Sequence, residues 1–495
     1  MSGKGKVARN LLYVFASEGV GGVLSFLILL LCARLLGVEA FGVFSFILAI
    51  TSVCQLVADF GLTNLIVREV AKDKDKAAYI MSNVLTLAWC LSALMFVVIA
   101  LCGWVLLDSV TQWVACLIMA AAVLATYHSV VYSSVCRAFE EMGYNAFCFV
   151  AHKIVLLALA WWWGGEASPF SSPLLGICAA YLVANLLQYL FFFVVVSLRF
   201  IKIRFGRDWH YALSLFRAAV PVGASMVVRR LTLQVDVLIL SVMLGATAVG
   251  VFSAAYKVVQ MVDMIPFALC LPLFPALSRL AAAGADELVP FFQLCVKGFV
   301  LLALPLTGYL FVSADSLINL FYADEFAEAG GLLRILSFTV VGLFINMLLS
   351  YLFVSLNHQR FYLLAALGCL VVNAVVDLIL IPLVGVEGAA WGTLCGELCY
   401  FVLALGFLKR CEITVNWIAL CWRPALLSVL CCLPALVWFP QSLWELVAFT
   451  AMFFALYLLG LFVFKVFHIR DVTTLASRLA HRTPSQTPAR QGNAG

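Results

Sequence analysis

Residues 36–45 read LGVEAFGVFS and residues 244–253 read LGATAVGVFS, identical at seven of ten positions at a constant offset of 208. The chain contains a copy of itself, and each copy sits at the end of a long apolar stretch. Fixed-offset similarity in a chain of many apolar segments marks an assembly of two related helical bundles, the construction of many membrane transporters. An offset of 208 spans six predicted helices. An even number of crossings returns the chain to the same side, so the halves are expected to be parallel repeats about an axis along the membrane normal.

Composition supports lipid as the solvent for most of the chain. Of 495 residues, 65% are hydrophobic and only 11% charged, with a mean hydropathy of +1.10, whereas about a quarter of residues are charged in an ordinary soluble domain. A bilayer core of ~30 Å needs about 20 apolar residues per helix. Such windows predict an all-α, polytopic membrane protein of about fourteen spans: 11–33, 42–66, 79–107, 113–136, 144–163, 173–198, 211–240, 249–276, 289–313, 331–356, 361–383, 388–408, 422–439 and 443–466. The expected organisation is an N-terminal six-helix lobe (1–207), a C-terminal six-helix lobe (208–410), two additional transmembrane helices (411–467) and a polar, disordered cytoplasmic tail (468–495). The basic stretch RFIKIRFGRDWH at 199–210 is the expected linker. A weaker echo pairs VCRAFEEMGYNAF (135–147) with VSLNHQRFYLLAA (354–366), at an offset nearer 217, where each half turns from its fourth helix into its fifth.

Lys and Arg concentrate in cytoplasmic loops. Arg9, Arg68, Lys72, Arg137, Arg199, Lys202, Arg204, Arg279, Arg360, Lys409, Arg410 and the basic tail fall on one side; Asp108, Glu166, Asp315, Asp324, Glu387 and Glu445 fall on the other, where Arg34 is the sole basic residue. Both termini are therefore expected in the cytoplasm. The N-terminal apolar segment contains Glu18 and exceeds a signal-peptide core, so it is read as a retained first span. The 17 cysteines lie mostly within helices without a CxxC pair and read as packing residues, not metal ligands or disulfides. There is no GxxxxGK phosphate loop and no HExxH motif, and His128 and His152 read as core residues. The sequence therefore calls for no cofactor, no metal and no nucleic-acid partner.

A charge at the centre of a span costs about 2.5–3.5 kcal/mol on the insertion scale, so each should face protein or a water-filled cavity. The seventh span carries Arg229, Arg230 and Asp236; the eighth carries Lys257 and Asp263. In a continuous helix Arg229 and Asp236 share a face and Arg230 points about 100° away. Counted from the turn near Leu244, Arg230 and Lys257 should lie at similar depth. Such cations suit an anion, above all a pyrophosphate, to which guanidinium groups can bond bidentately; the alternative is that Arg229, Lys257, Asp236 and Asp263 neutralise one another and lock the bundle. Asp236, Asp263, Asp377 and Glu397 are candidates for coupling to a cation or proton, or for structural pairing. Pro266, Pro272 and Pro275, within ten residues of the eighth span, are candidate hinges.

The stretches ARLLGVEAFGVFSF (33–46), DFGLTNLIVREVA (59–71), QVDVLILSVMLGATAVGVFSAAYKVVQ (234–260) and IPLVGVEGAAWGTLCGE (381–397) resemble the polysaccharide-export flippases (Wzx-like) of the multidrug/oligosaccharidyl-lipid/polysaccharide superfamily. The resemblance implies two lobes around a central cavity and a prokaryotic plasma (inner) membrane. It further implies alternating-access translocation of undecaprenyl-pyrophosphate-linked oligosaccharide for surface polysaccharide such as the O-antigen of lipopolysaccharide. Lipid-linked oligosaccharide, membrane lipids, a coupling cation or proton, and glycan polymerase and assembly proteins are the implied partners. Alternatives are a drug or metabolite antiporter of the same superfamily, a flippase for the lipid-linked cell-wall precursor, and an intramembrane enzyme acting on lipid-linked sugars; short predicted outer loops weigh against the enzyme.

Overall fold

The computed structural model describes residues 3–165, 168–202 and 206–464. Glu166, Arg204 and the tail 465–495, with the disorder and the charges expected there, lie outside the described residues. Sixteen α-helices account for nearly all of the rest: α1 (Gly3–Asp59), α2 (Leu62–Lys72), α3 (Ala77–Leu106), α4 (Val110–Ala138), α5 (Met142–Gly164), α6 (Pro173–Arg199), α7 (Trp209–Thr232), α8 (Val235–Met243), α9 (Ala246–Ala283), α10 (Ala285–Phe321), α11 (Ala329–Ser337), α12 (Thr339–Ser355), α13 (Gln359–Val384), α14 (Glu387–Arg410), α15 (Trp417–Cys432) and α16 (Leu443–Val463). Eleven helical stretches among the described residues are long and apolar enough to cross a membrane, or up to twelve with the bent pair α11–α12 taken as one span. The expected count of fourteen exceeds this number; it takes α1 as two crossings and α7 with α8 as one. At 1.5 Å per residue, the 57 residues of α1 would run about 85 Å, far beyond one bilayer core. The division falls at Gly37, whose backbone is non-helical (φ 70, ψ 174).

The repeat is visible in backbone conformation. Gly245, the partner of Gly37 at an offset of 208, adopts φ 82, ψ −169, the same region, which a side chain would strain. The two copies also pack on each other. A Cβ on Gly42 would strike the carbonyl oxygen of Ala246, and one on Gly250 would strike that of Val38. These contacts exchange under the same offset, so a two-fold pseudo-axis passes between α1 and α9. The weaker echo is equally structural: Glu140 and Asn357, which end the fourth helix of each half, both have φ 59.

Around that axis, α1 to α6 pack among themselves and α9 to α14 form the second group, while α7 touches α1, α2 and α3 on one side and α13 on the other. The segment before α7 is fastened to α3: Gly206 N–H donates to Ser82 O (2.9 Å), and the Asp208 N–H donates to Asn83 Oδ1 (3.0 Å). At the end of the bundle that the charge pattern assigns to the outside, Arg34 donates to the carbonyls of Leu320 and Phe321 (3.0 Å each), and Glu325 accepts from the Val38 N–H (3.1 Å). Each lobe thus caps a helix end of the other. Helices α15 and α16 lean on α10 through Leu427, Phe449, Phe453 and Tyr457.

Helix breaks do not follow the prolines. Helix α9 runs unbroken through Pro266, Pro272 and Pro275. The chain instead breaks at Phe60–Gly61 (φ 41 and 83), where Asp59 accepts from Gly61 N–H and Thr63 N–H (3.2 Å each) and Thr63 Oγ1–H (3.1 Å). It breaks again at Leu233–Gln234 between α7 and α8 and bends by 43° between α11 and α12.

Candidate functional site

Among the described residues, three polar regions stand out within the bundle. The first is a cavity of about 320 Å³ between the lobes, walled by α1, α5, α6 and α9. Lys257 of α9 faces it and donates to Gln260 Oε1 (2.8 Å). Lys153 of α5 lines the same cavity from the other lobe, with Glu18 of α1 as its counter-charge. Arg230 is near enough to Lys257 for their charges to repel, in keeping with the similar depth expected for them. Sequence reasoning passed over Lys153. Its signal was present, since a lysine near the middle of the fifth span carries the same insertion penalty as Lys257.

The second region lies inside the second lobe. Arg229 Nη2 is 3.7 Å from Asp263 Oδ2, with the side chains 42% and 20% exposed, so the pair lines an accessible surface. Asn346 donates to Glu397 Oε2 (2.7 Å), and Ser350 and Tyr400 share a hydrogen bond (2.7 Å). These groups surround about 40 Å³ of space that adjoins a second cavity of about 290 Å³ beside Phe267, Phe274, Tyr351 and Tyr362. Arg229 lines both. The three cations expected to act together are therefore divided: Arg230 and Lys257 lie near each other, while Arg229 and Lys257 line different cavities.

The third region is buried between α8, α13 and α14. Asp236 and Asp377 are 1% and 0% exposed, and their carboxyls face each other. Thr393 Oγ1 donates to Asp236 Oδ1 (3.0 Å). Asp236 Oδ2, both Asp377 oxygens and Asn373 Oδ1 find no hydrogen-bond donor. Gly392 makes room, because a Cβ there would collide with Asp377 Oδ1. The heptad argument that placed Asp236 on one face with Arg229 fails because the helix is interrupted at Leu233–Gln234, which turns Asp236 toward α13 and α14. The four acids sort into two pairs: Asp236 with Asp377, and Asp263 with Glu397 beside Arg229.

The two histidines near the spans are hydrogen-bonded within the first lobe. His128 hydrogen-bonds Ser92 (3.1 Å) and stacks on Trp89, His152 hydrogen-bonds Asn185 (2.7 Å), and the 17 cysteines are all free.

Two lobes of membrane-spanning helices, related by a parallel repeat and enclosing a polar cavity, define a transporter-type fold. Residues 7–281 match the polysaccharide biosynthesis protein family, and residues 221–379 match the MatE family. The chain belongs to the polysaccharide biosynthesis protein family, within the multidrug/oligosaccharidyl-lipid/polysaccharide superfamily of flippases and transporters. It is 21% identical over 392 residues to the probable low-salt glycan biosynthesis flippase Agl15 of Haloferax volcanii, covering 78% of this chain and 80% of that one. An uncharacterized membrane protein of Methanocaldococcus jannaschii is 20% identical over 417 residues, covering 82% of this chain and 98% of that protein. Among solved structures, the lipid II flippase MurJ in an inward closed conformation superposes with a TM-score of 0.75 at 13% identity, over 94% of this chain and 100% of that one. An inward-facing multidrug resistance MATE transporter gives 0.65 at 15% identity, over 79% of this chain and 94% of that one. At these identities the structural likeness is one of fold.

Proposed function

We propose that the protein is a flippase that carries lipid-linked oligosaccharide, on an undecaprenyl-pyrophosphate carrier, across a prokaryotic inner membrane for surface polysaccharide such as O-antigen. The observation that carries the reading is the pair Lys153 and Lys257, one from each lobe, facing a single cavity. A pyrophosphate there is neutralised by both lobes together, with Arg230 adding charge from behind Lys257, so anion binding is tied to the relative position of the lobes. Arg229, paired with Asp263, faces the second-lobe cavity and not this one. Alternating access then requires the contacts of Arg34 and Glu325 to release when the lobes part on the outer side. The protein makes and breaks no covalent bond in this cycle, and both termini stay in the cytoplasm.

Coupling is assigned to Asp236 and Asp377. Two buried carboxyls in contact cannot both remain ionised without a proton or cation between them. The oxygens of Asn373 and Thr393 complete an acceptor-rich surround for such a partner. A drug antiporter is the second reading, favoured by the match of residues 221–379 to the MatE family and by the acids of the second lobe.

The test is a Lys153→Ala, Lys257→Ala double variant in the native host. Surface glycan is expected to disappear while lipid-linked oligosaccharide accumulates, with the protein still inserted. Normal surface glycan in that variant, accompanied by lost drug resistance, would overturn the reading in favour of an antiporter.

A further inference from the structure

The cavity of the second lobe is larger than an ion pair requires and has a mixed lining that the carriage of a pyrophosphate does not explain. One wall is aromatic: Phe267 and Phe274 from α9, Tyr351 from α12 and Tyr362 from α13. Phe274 and Tyr351 meet edge to face at 5.7 Å, which fixes the platform. Arg229 and Ser350 line the same cavity, and the adjoining space of about 40 Å³, which Arg229 also lines, holds Asp263, Asn346 and Glu397, with Arg229 paired to Asp263 and Asn346 to Glu397. Asp263 Oδ1 and Asn346 Oδ1 have no partner. An aromatic wall beside several fixed donors and acceptors matches a pyranose, whose C–H face is apolar and whose rim is a circle of hydroxyls.

Helix α9 joins this cavity to the one between the lobes. It presents Lys257 and Gln260 to the inter-lobe cavity and Asp263 and Phe267 to the second-lobe cavity. Lys257 and Asp263 are separated by about 9 Å of helix rise, within the length of a sugar joined to a pyrophosphate. The lining also selects on charge. Among the described residues, Arg229 is the one charged group lining the cavity of about 290 Å³ and is answered by Asp263 from the adjoining space, so no unpaired cation is left there to hold a uronate.

Resting on the flippase reading, we infer that the second-lobe cavity is the sugar subsite, and that it takes the first, uncharged pyranose of the lipid-linked glycan while the pyrophosphate stays between the lobes. The aromatic wall stacks on the ring, the Arg229–Asp263 and Asn346–Glu397 pairs bond its hydroxyls, and the prenyl chain remains outside this cavity.

Photocrosslinking in the glycan-producing host tests this. Phe274 is replaced by p-benzoylphenylalanine in one chain and Phe149, which lines the inter-lobe cavity, in another; both swaps keep an aromatic ring. After irradiation the purified adducts are treated with mild acid, which hydrolyses the bond between sugar and pyrophosphate. The Phe274 adduct is expected to keep the glycan and lose the prenyl pyrophosphate, with fragmentation placing the crosslink on the reducing-end residue, a neutral hexose or N-acetylhexosamine, and the Phe149 adduct is expected to keep the prenyl chain. Prenyl mass at Phe274, a crosslink there located on a uronate or on a residue other than the first, or a lipid-linked adduct at Phe149 alone, would overturn the sugar subsite and leave the flippase reading standing. The absence of any lipid-linked adduct at both positions would overturn the two together.

Discussion

At an offset of 208, Arg229, Arg230, Asp236, Lys257 and Asp263 of the second half fall on Gly21, Gly22, Ile28, Ala49 and Gln55 of the first. The halves share a scaffold and differ in chemistry. In the first half three of these positions are closely packed and bring no charge: a Cβ on Gly21 would run into the Phe149 ring, one on Gly22 would come within 2.7 Å of Met264 Cε, and Ile28 is buried, although Gly22 and Ile28 also border the inter-lobe cavity. In the second half they line cavities or form the buried acid pair. The breaks differ in the same way. The first half breaks its second crossing at Phe60–Gly61 and the second half its first crossing at Leu233–Gln234. A repeat fixes where helices turn and how the halves meet on the axis; it does not oblige both halves to carry a polar site, and each intramembrane charge is costly enough to be kept only where something partners it.

The sharpest way to break this comparison is at the buried acids. Asp236→Asn is expected to lower transport by about tenfold or more, since it removes one of the two carboxyls that must share a proton or cation. Ile28→Val, at the equivalent position of the first half, should leave transport within about twofold, at a stability cost of about 0.5–1.5 kcal/mol. Equal losses of transport in the two variants, measured with reconstituted protein, would remove the functional asymmetry between the halves.

The axis itself supplies the next test. Gly42→Val and Gly250→Val each drive a side chain into a backbone carbonyl of the other lobe, and each should destabilise the protein by about 1–3 kcal/mol. The symmetry of the contacts predicts similar shifts in thermal unfolding in detergent. A large shift in one and none in the other would mean that only one of the paired contacts bears on stability.

The smallest expected effect is at the prolines. The hydrogen bonds that Pro266 cannot make are already lost in a helix that stays continuous, so Pro266→Ala should change transport by no more than about twofold. A larger loss would put a hinge in α9 and make the breaks at Phe60–Gly61 and Leu233–Gln234 secondary.

Much of the scaffold was legible without coordinates because its determinants are local. Apolar length sets helices in lipid, where backbone groups must be satisfied within the segment. The repeated stretch places a turn at the end of each half's first crossing, where the structure has Gly37 and Gly245, and the echo at an offset near 217 marks the turn from fourth helix to fifth, where Glu140 and Asn357 are both left-handed. Intramembrane charge likewise singled out Arg230 and Lys257. The same rule applied to the fifth span would have included Lys153.

What the sequence by itself determined was the order of helices, the repeat and the set of residues too polar for lipid, since each depends on residue type and spacing along one segment. Only the tertiary structure decided which of those polar residues meet. A two-residue interruption at Leu233–Gln234 turns Asp236 away from Arg229 and toward Asp377, more than a hundred residues on. Lys153 faces the cavity of Lys257 because α5 and α9 both wall it. Spacing along one helix fixes relative direction only while the helix stays regular, and a cavity shared by two lobes has no local signature in either.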